Sequence, residues 1–253
     1  MITRFLFTLC LLLQVAVAGP GQQMWLAQKT ASAGGAPTIA NVWKAVGNFS
    51  PTLNVTVSPS AGSCLVVGVP EYGSTADNTG MSDNVEGATG WTKITRAFNG
   101  GLSIVWWYKA NIPSGVSTVT LTTSTDVDYY NAHVFEIQGA NVSTPFTSGE
   151  VATASGTGST GNSGTVTTAT ANSVLIGLTA NNSGSNPETF TLNASGTSGG
   201  TWAHFNSNSK EEDGVANLVS SAPSLVVSST AARIHYWSYP ASRVWLGSMI
   251  AIH

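Results

Sequence analysis

Two short acidic segments and a set of aromatic residues hold most of the chemistry that this chain of 253 residues could perform. Asp77-Asn78-Thr79-Gly80-Met81-Ser82-Asp83-Asn84 places carboxylate, amide and hydroxyl oxygens close together around a glycine, and Thr125-Asp126-Val127-Asp128-Tyr129-Tyr130 is a second such segment. Calcium takes about six to eight oxygens of these kinds, so either loop could contribute ligands. Neither matches an EF-hand or a glycine-rich calcium repeat, and turn chemistry selects the same Asp, Asn and Gly. The expectation is therefore no cofactor, with calcium as the metal these loops would suit. The aromatic residues Trp91, Trp106, Trp107, Tyr108, Tyr129, Tyr130, Trp202, Trp237 and Tyr239 offer a different chemistry. Exposed rings stack on pyranose faces while Asn, Asp and Gln take the hydroxyls. Trp106 and Trp107 are adjacent on a strand, so their rings point to opposite faces and one can turn away from the core. Packing gives the other account of the pair, one ring between sheets and one covering a sheet face. The candidate ligand-binding set is Asp77, Asn78, Asp83, Asn84, Trp106, Trp107, Asp128, Tyr129 and Tyr130.

Enzymatic signatures are absent from the sequence. His133, His204, His235 and His253 form no zinc spacing, and His133, on an apolar run, reads as a hydrogen-bonded sheet histidine. There is no nucleophile-elbow motif, phosphate loop or dinucleotide fingerprint. Glycoside hydrolysis needs two carboxylates roughly 5 to 9.5 Å apart, and no strand carries an alternating acidic run. Glu136 stands alone between Phe135 and Ile137, where an ion pair with Arg96, Lys109 or Arg243 is expected. Glu211-Glu212-Asp213, between Lys210 and Gly214, reads as a solvated hairpin turn. Cys64, within Ser63-Cys64-Leu65-Val66-Val67-Gly68, reads as a small buried hydrophobe. The expected molecule is not an enzyme.

The elements that must position these residues belong to an exported chain. Arg4 precedes an apolar stretch from Phe5 to Ala18, and Ala16-Val17-Ala18 supplies a small-x-small cleavage site before Gly19. The stretch is short for a membrane span, which needs about 20 residues. Residues 1–18 are thus expected to be a signal peptide, 19–35 a flexible leader and 36–253 the folded domain. Charged residues make up 8%, against about 25% in an average domain, and the net charge of −3 includes no basic run. Nucleic acid is excluded as a partner, since phosphate neutralisation needs clustered Lys and Arg, and no membrane contact is expected after cleavage. Removal of Cys10 with the signal leaves Cys64 without a disulfide partner. Five glycosylation sequons, at Asn48, Asn54, Asn141, Asn181 and Asn193, matter only in a host that uses them.

Alternation of period two in Leu102–Tyr108 and Ser117–Thr122 marks half-buried strands, and apolar runs at Cys64–Val69, His133–Ile137, Val174–Leu178 and Val244–Ile252 mark inner ones. Gly-rich turn clusters separate them, and no segment shows a capped helical period. The fold class expected is all-β, a single jelly-roll-like β-sandwich. Ser63-Cys64-Leu65-Val66 recurs in type as Ser173-Val174-Leu175-Ile176, and Gly90-Trp91 as Gly200-Thr201-Trp202. Apolar strands then start at Gly101-Leu102 and Gly214-Val215, and closing strands lie at Ala132–Ile137 and Gly247–Ile252. These correspondences point to two pseudo-equivalent halves sharing one core. The low-complexity segment from Ala152 to Thr170 lies between them and reads as a crossover within one domain.

The runs LVVGV (65–69), TGWTKI (89–94), LSIVWWYKAN (102–111), STVTLTTS (117–124), HVFEIQGA (133–140) and VTTATANSVLIGL (166–178) resemble poorly characterised jelly-roll-like proteins of phage and bacterial surface or virion contexts. The resemblance spans most of residues 50–253 and implies a fold and a surface location, since none of its motifs is catalytic. A signal peptide shifts the expectation from a virion towards a secreted protein. The leading expectation is a secreted, non-enzymatic adhesion, carbohydrate-binding or surface-structural module with a glycan or surface polymer as partner, open to oligomerisation. A phage tail or capsid-associated protein is the first alternative and a polysaccharide-active enzyme the second.

Overall fold

The computed structural model describes residues 36–73, 77–124, 129–182, 188–215 and 218–253; the expected signal peptide and leader lie outside these described residues. Every run of apolar or β-branched residues named above becomes part of a strand. In the first half these are β1 (Thr38–Asn48), β2 (Thr52–Thr56), β3 (Cys64–Tyr72), β4 (Asn78–Asp83), β5 (Thr92–Asn99), β6 (Leu102–Lys109), β7 (Thr118–Thr123) and β8 (Tyr129–Gln138). In the second half they are β9 (Val151–Asn162), β10 (Val166–Thr167), β11 (Ser173–Asn182), β12 (Thr191–Leu192), β13 (Lys210–Val215), β14 (Leu218–Ser221), β15 (Ser224–Val227), β16 (Ala232–Arg233) and β17 (Tyr236–Ile252). The single helical element among the described residues is a 3₁₀ turn at Ser207–Ser209.

All strand pairings are antiparallel. The first half forms a large sheet in the order β1-β8-β3-β6-β5, covered on one face by β2-β7-β4. The second half forms a large sheet in the order β9-β17-β11-β14-β13, with β10 and β16 paired in its covering layer. Matched in chain order, β1, β3, β5, β6 and β8 correspond to β9, β11, β13, β14 and β17, and the two large sheets then have the same strand order. The covering layers agree too, β2-β7-β4 answering to β10, β16 and the bridge from Ile234 to Ser198. This is jelly-roll wiring carried out twice in one all-β sandwich.

The two large sheets pack face to face. Side chains alternate along β3, so Cys64 and Val66 enter the shared core while Leu65, Val67 and Val69 face the covering sheet. On β11 the partition repeats, with Val174, Ile176, Leu178 and Ala180 in the shared core and Leu175 on the outer side. β3 lies against β11, β17 against β5 and β6, and β8 against β13 and β14, as in a two-fold interface made within one chain. Near that pseudo-axis Gly68 and Leu178, 110 residues apart like Ser63 and Ser173, meet directly. A Cβ on Gly68 would lie 2.7 Å from the Trp106 ring and 2.8 Å from a Leu178 methyl, so this glycine makes room for both. Polar groups also cross the interface. His133 donates from Nδ1 to the Asn208 carbonyl (2.8 Å), which leaves Nε2 to accept from Ser220 Oγ (2.8 Å). Asn131 donates to the same hydroxyl, and Trp106 Nε1 donates to Ser248 Oγ (2.9 Å). Burial of His133 pushes its pKa down to about 4, so the ring is neutral in this network.

Three sequence expectations are corrected. Glu136 makes no ion pair among the described residues; its carboxylate accepts from the Ser60 backbone N–H (2.8 Å), while Arg96, Lys109 and Arg243 bind Asp77, Asp83 and Glu188 instead. Glu211 and Glu212 do not form a turn but lie on β13, where Glu211 pairs with Lys44 of the other half at 2.7 Å. The second-half strand expected from Gly214-Val215 begins instead at Leu218. The low-complexity crossover is largely β9, a strand of twelve residues along β17.

Candidate binding site

The site forms at the end of β3. Continuing the alternation of Leu65, Val67 and Val69 puts Glu71 on the covered face of the sheet, fully buried. Its neighbours in register are Ser103 on β6 and Tyr130 on β8. Ser103 Oγ donates to Glu71 Oε2 (2.8 Å), and Oε1 has no hydrogen-bond partner among the described residues. Burial raises the Glu71 pKa to about 7; the Ser103 hydrogen bond and the Arg96 and Lys93 charges pull it down, and the Asp77 charge pushes it up. At neutral pH this carboxyl therefore lies near half-protonation, able to donate as well as accept.

Asp77 and Asn78 enter from the start of β4, and Lys93 and Arg96 from β5. Lys93 Nζ donates to Asp77 Oδ1 (2.8 Å) and to the Asn78 carbonyl (3.0 Å), and Arg96 Nε lies 3.5 Å from the same carboxylate oxygen. The Asn78 side chain donates to the Gly80 and Thr122 carbonyls, while its buried Oδ1 is unpartnered. Ser124, whose N–H donates to the Asp77 carbonyl, has an unpartnered buried Oγ. Trp107 lies beneath Lys93, its ring centroid 5.8 Å from Nζ, and its buried Nε1 is also unpartnered. Four buried polar atoms without partners among the described residues are thus carried by β3, β4, β6 and the residue that follows β7. Leaving each one unpaired costs about 1–3 kcal/mol.

Tyr72 and Tyr129, one residue along from Glu71 and Tyr130, turn to the opposite face of the sheet, against the shared core. Tyr72 stacks on Tyr129 with centroids 6.3 Å apart, and Phe49 meets Tyr129 edge-on at 5.4 Å. Phe49 is 70% exposed and held at φ 45°, a conformation that costs energy for a residue with a Cβ. Such strain around an exposed ring is a mark of functional surfaces.

The candidate residues separate into three groups. Asp77, Asn78 and Trp107 meet Lys93, Tyr130 stands beside Glu71, and Tyr129 turns to the shared core; the Tyr130 hydroxyl is committed to the Ser50 and Thr52 carbonyls. Asp83 and Asn84 lie at the far end of β4 and hold loops. Asp83 accepts from the Val85 and Glu86 N–H groups, from Trp91 Nε1 (3.0 Å) and from buried Lys109 (2.7 Å). Burial alone would raise the Asp83 pKa, but these hydrogen bonds outweigh it and hold the carboxyl below its ordinary value. Asn84 Oδ1 accepts from the Ser117 and Thr118 N–H groups, and its amide donates to the Gly115 carbonyl. Trp106 is enclosed in the shared core and presents no face to a ligand in this structure. Asp128 lies outside the described residues. Glu71, Lys93, Arg96, Ser103 and Ser124 are not among the ligand-binding residues expected from the sequence. Glu71 did carry a signal, a charge at the buried parity of an apolar strand.

The donor set also bears on calcium. Among the described residues no three His, Cys, Asp or Glu side chains cluster to hold a metal. Between Asp77 Oδ1 and the Asn78 carbonyl, where a cation would sit, the Lys93 ammonium is already bound. No family model, curated protein or solved structure matches the chain.

Proposed function

We propose that this chain is an exported, non-enzymatic binding module for a neutral glycan, received at the β3 end of the first half. Jelly-roll wiring serves lectins and capsid proteins alike, so the reading rests on the site and not on the fold. The observation that carries it is the set of buried polar atoms without partners among the described residues, Glu71 Oε1, Asn78 Oδ1, Ser124 Oγ and Trp107 Nε1, in the half that also bears the exposed ring of Phe49. A saccharide combines hydroxyls that donate and accept with a C–H face that stacks on a ring. A neutral ligand is favoured because Lys93 and Arg96 are both engaged with Asp77. The same pairing supports binding over hydrolysis, since the carboxylate nearest Glu71 in charge is held by two cations and is a poor base or nucleophile.

The test is a glycan array probed with residues 19–253, with and without calcium, and with Asn78→Ala and Phe49→Ala. Binding that is indifferent to calcium and lost in both variants is the expected result. A blank array would overturn the reading in favour of a surface-structural or virion component, and release of reducing ends over time would replace it with an enzymatic one.

A further inference from the structure

We infer that Arg233, on β16 in the covering layer of the second half, anchors a carboxylate brought by a ligand. The inference is independent of the first-half site and stands or falls without it. It begins from charge. Among the described residues, Lys44, Lys93, Arg96, Lys109, Lys210 and Arg243 each meet a carboxylate oxygen. Arg233 has no carboxylate partner among those residues, yet only 8% of it is exposed. A charge taken out of water without a counter-charge is costly, and the cost is offset when an opposite charge arrives.

Hydrogen bonds do not make up for the missing charge. Nη1 reaches the Ala232 carbonyl at 3.5 Å, and Nη2 reaches the Ser229 carbonyl at 3.5 Å and the Ser229 hydroxyl at 3.3 Å. All three are longer than a charge-assisted bond of about 2.7–2.9 Å. Nε is buried and has no partner among the described residues. The stem is closely enclosed. Gly199 lies over it at φ 89°, and a Cβ there would collide with Cδ and come within 2.7 Å of Nε. The outer end of the fork is placed differently. Ser229 and Ala232, which make all three contacts with the terminal nitrogens, are exposed, as are Ser228 and Thr230 beside them. Two ligand oxygens can therefore replace these long contacts at the surface, with no need to enter the core.

The chemistry selects the ligand. A planar guanidinium fork matches a planar carboxylate through two parallel N–H···O bonds. A polyanion needs clustered cations, and no second Lys or Arg without a carboxylate partner stands with Arg233 among the described residues. The ligand inferred thus carries isolated carboxylates, as an acidic sugar does.

The experiment follows the Arg233 Nε–H resonance of the purified protein by NMR while sodium glucuronate, acetate or sulfate is exchanged for sodium chloride at constant ionic strength. A saturable shift is expected with both carboxylates and a weaker one with sulfate. Tighter binding of glucuronate than of acetate identifies an acidic sugar as the source, and equal binding identifies the carboxyl group alone. Arg233→Met removes the unpaired charge and should lose the rise in melting temperature that glucuronate gives the wild type. Arg233→Lys, which keeps the charge and not the fork, should bind about tenfold more weakly. No saturable shift with any of the three anions, or a melting rise that survives Arg233→Met, would overturn the inference. Sulfate binding more tightly than either carboxylate would overturn the choice of carboxylate. The titrations of the wild type decide the matter even if a variant does not fold.

Discussion

The two halves share a strand order and a core, yet they have gone different ways at the ends of their central strands. In the first half Glu71 keeps a carboxyl against Ser103, with Asp77, Lys93 and Arg96 close by. In the second, Asn181, Val219 and Trp245 stand at the matching positions. The faces that meet in the middle have stayed apolar in both, because neither half can expose its large sheet without the other. At the matching strand ends the first half carries charged side chains and the second half rings, while the shared core is apolar from both sides.

The largest expected effect comes from breaking what the halves share. Trp106→Ala opens a cavity beside Gly68 and Leu178 and removes the hydrogen bond to Ser248, so a loss of about 4 kcal/mol is expected in denaturant unfolding. A single transition should remain, since both halves line that core. Lys109→Met comes next, at about 3 kcal/mol, because it leaves the buried Asp83 carboxylate without its cation. That loss belongs to the first half alone, as no ion pair of this kind holds the matching second-half segment among the described residues.

An effect of similar size, and a sharper one for the comparison, is pH-dependent. The folded-state pKa of Glu71 is raised, so its carboxyl favours folding fully below the unfolded value of 4.5, and that contribution is lost as pH rises through about 7. Glu71→Gln should therefore stabilise the protein by about 3 kcal/mol at pH 8 and leave it nearly unchanged at pH 4. An Asn181→Leu variant should stabilise equally at both pH values, since the buried amide it removes has no hydrogen-bond partner among the described residues and does not titrate. The histidines act in the opposite sense. Burial lowers the pKa of His133 and His204 to about 4 and of His235 to about 3. Their neutral forms support folding fully above about 6.5, and that support is lost as pH falls below it. Melting temperatures of the wild type should accordingly drop between pH 7 and pH 5, and His133→Gln should flatten part of that drop.

Much of this architecture was legible in the residues. The pairing of Ser63-Cys64-Leu65-Val66 with Ser173-Val174-Leu175-Ile176 marked the two halves because central strands are apolar on both faces and stand out as runs. That same property hid the burial of Trp106. With the large sheet covered on both sides, alternation assigns a ring to one face or the other but reveals no exposed face. β9 escaped notice because Gly156, Gly158 and Gly161 lie against Trp245, Tyr239 or nearby backbone, so the strand's packing depends on missing side chains. Of the candidate residues, Asp77, Asn78, Trp107 and Tyr130 stand out in the sequence by their types. Glu71 does not, since Pro70-Glu71-Tyr72 resembles the start of a turn, and Lys93 and Arg96 give no sign of converging from another strand. Burial of Asn181 also takes its sequon out of use in the folded chain.

The central claim is that Glu71 forms the polar heart of a ligand site. It is tested most directly by following its side-chain carboxyl carbon by NMR through a pH titration, with and without a glycan that scores on the array. The account predicts a midpoint near 7 in the free protein and a shift of that midpoint when the glycan binds. A midpoint in the ordinary carboxylate range, or one that the bound glycan leaves in place, would contradict it.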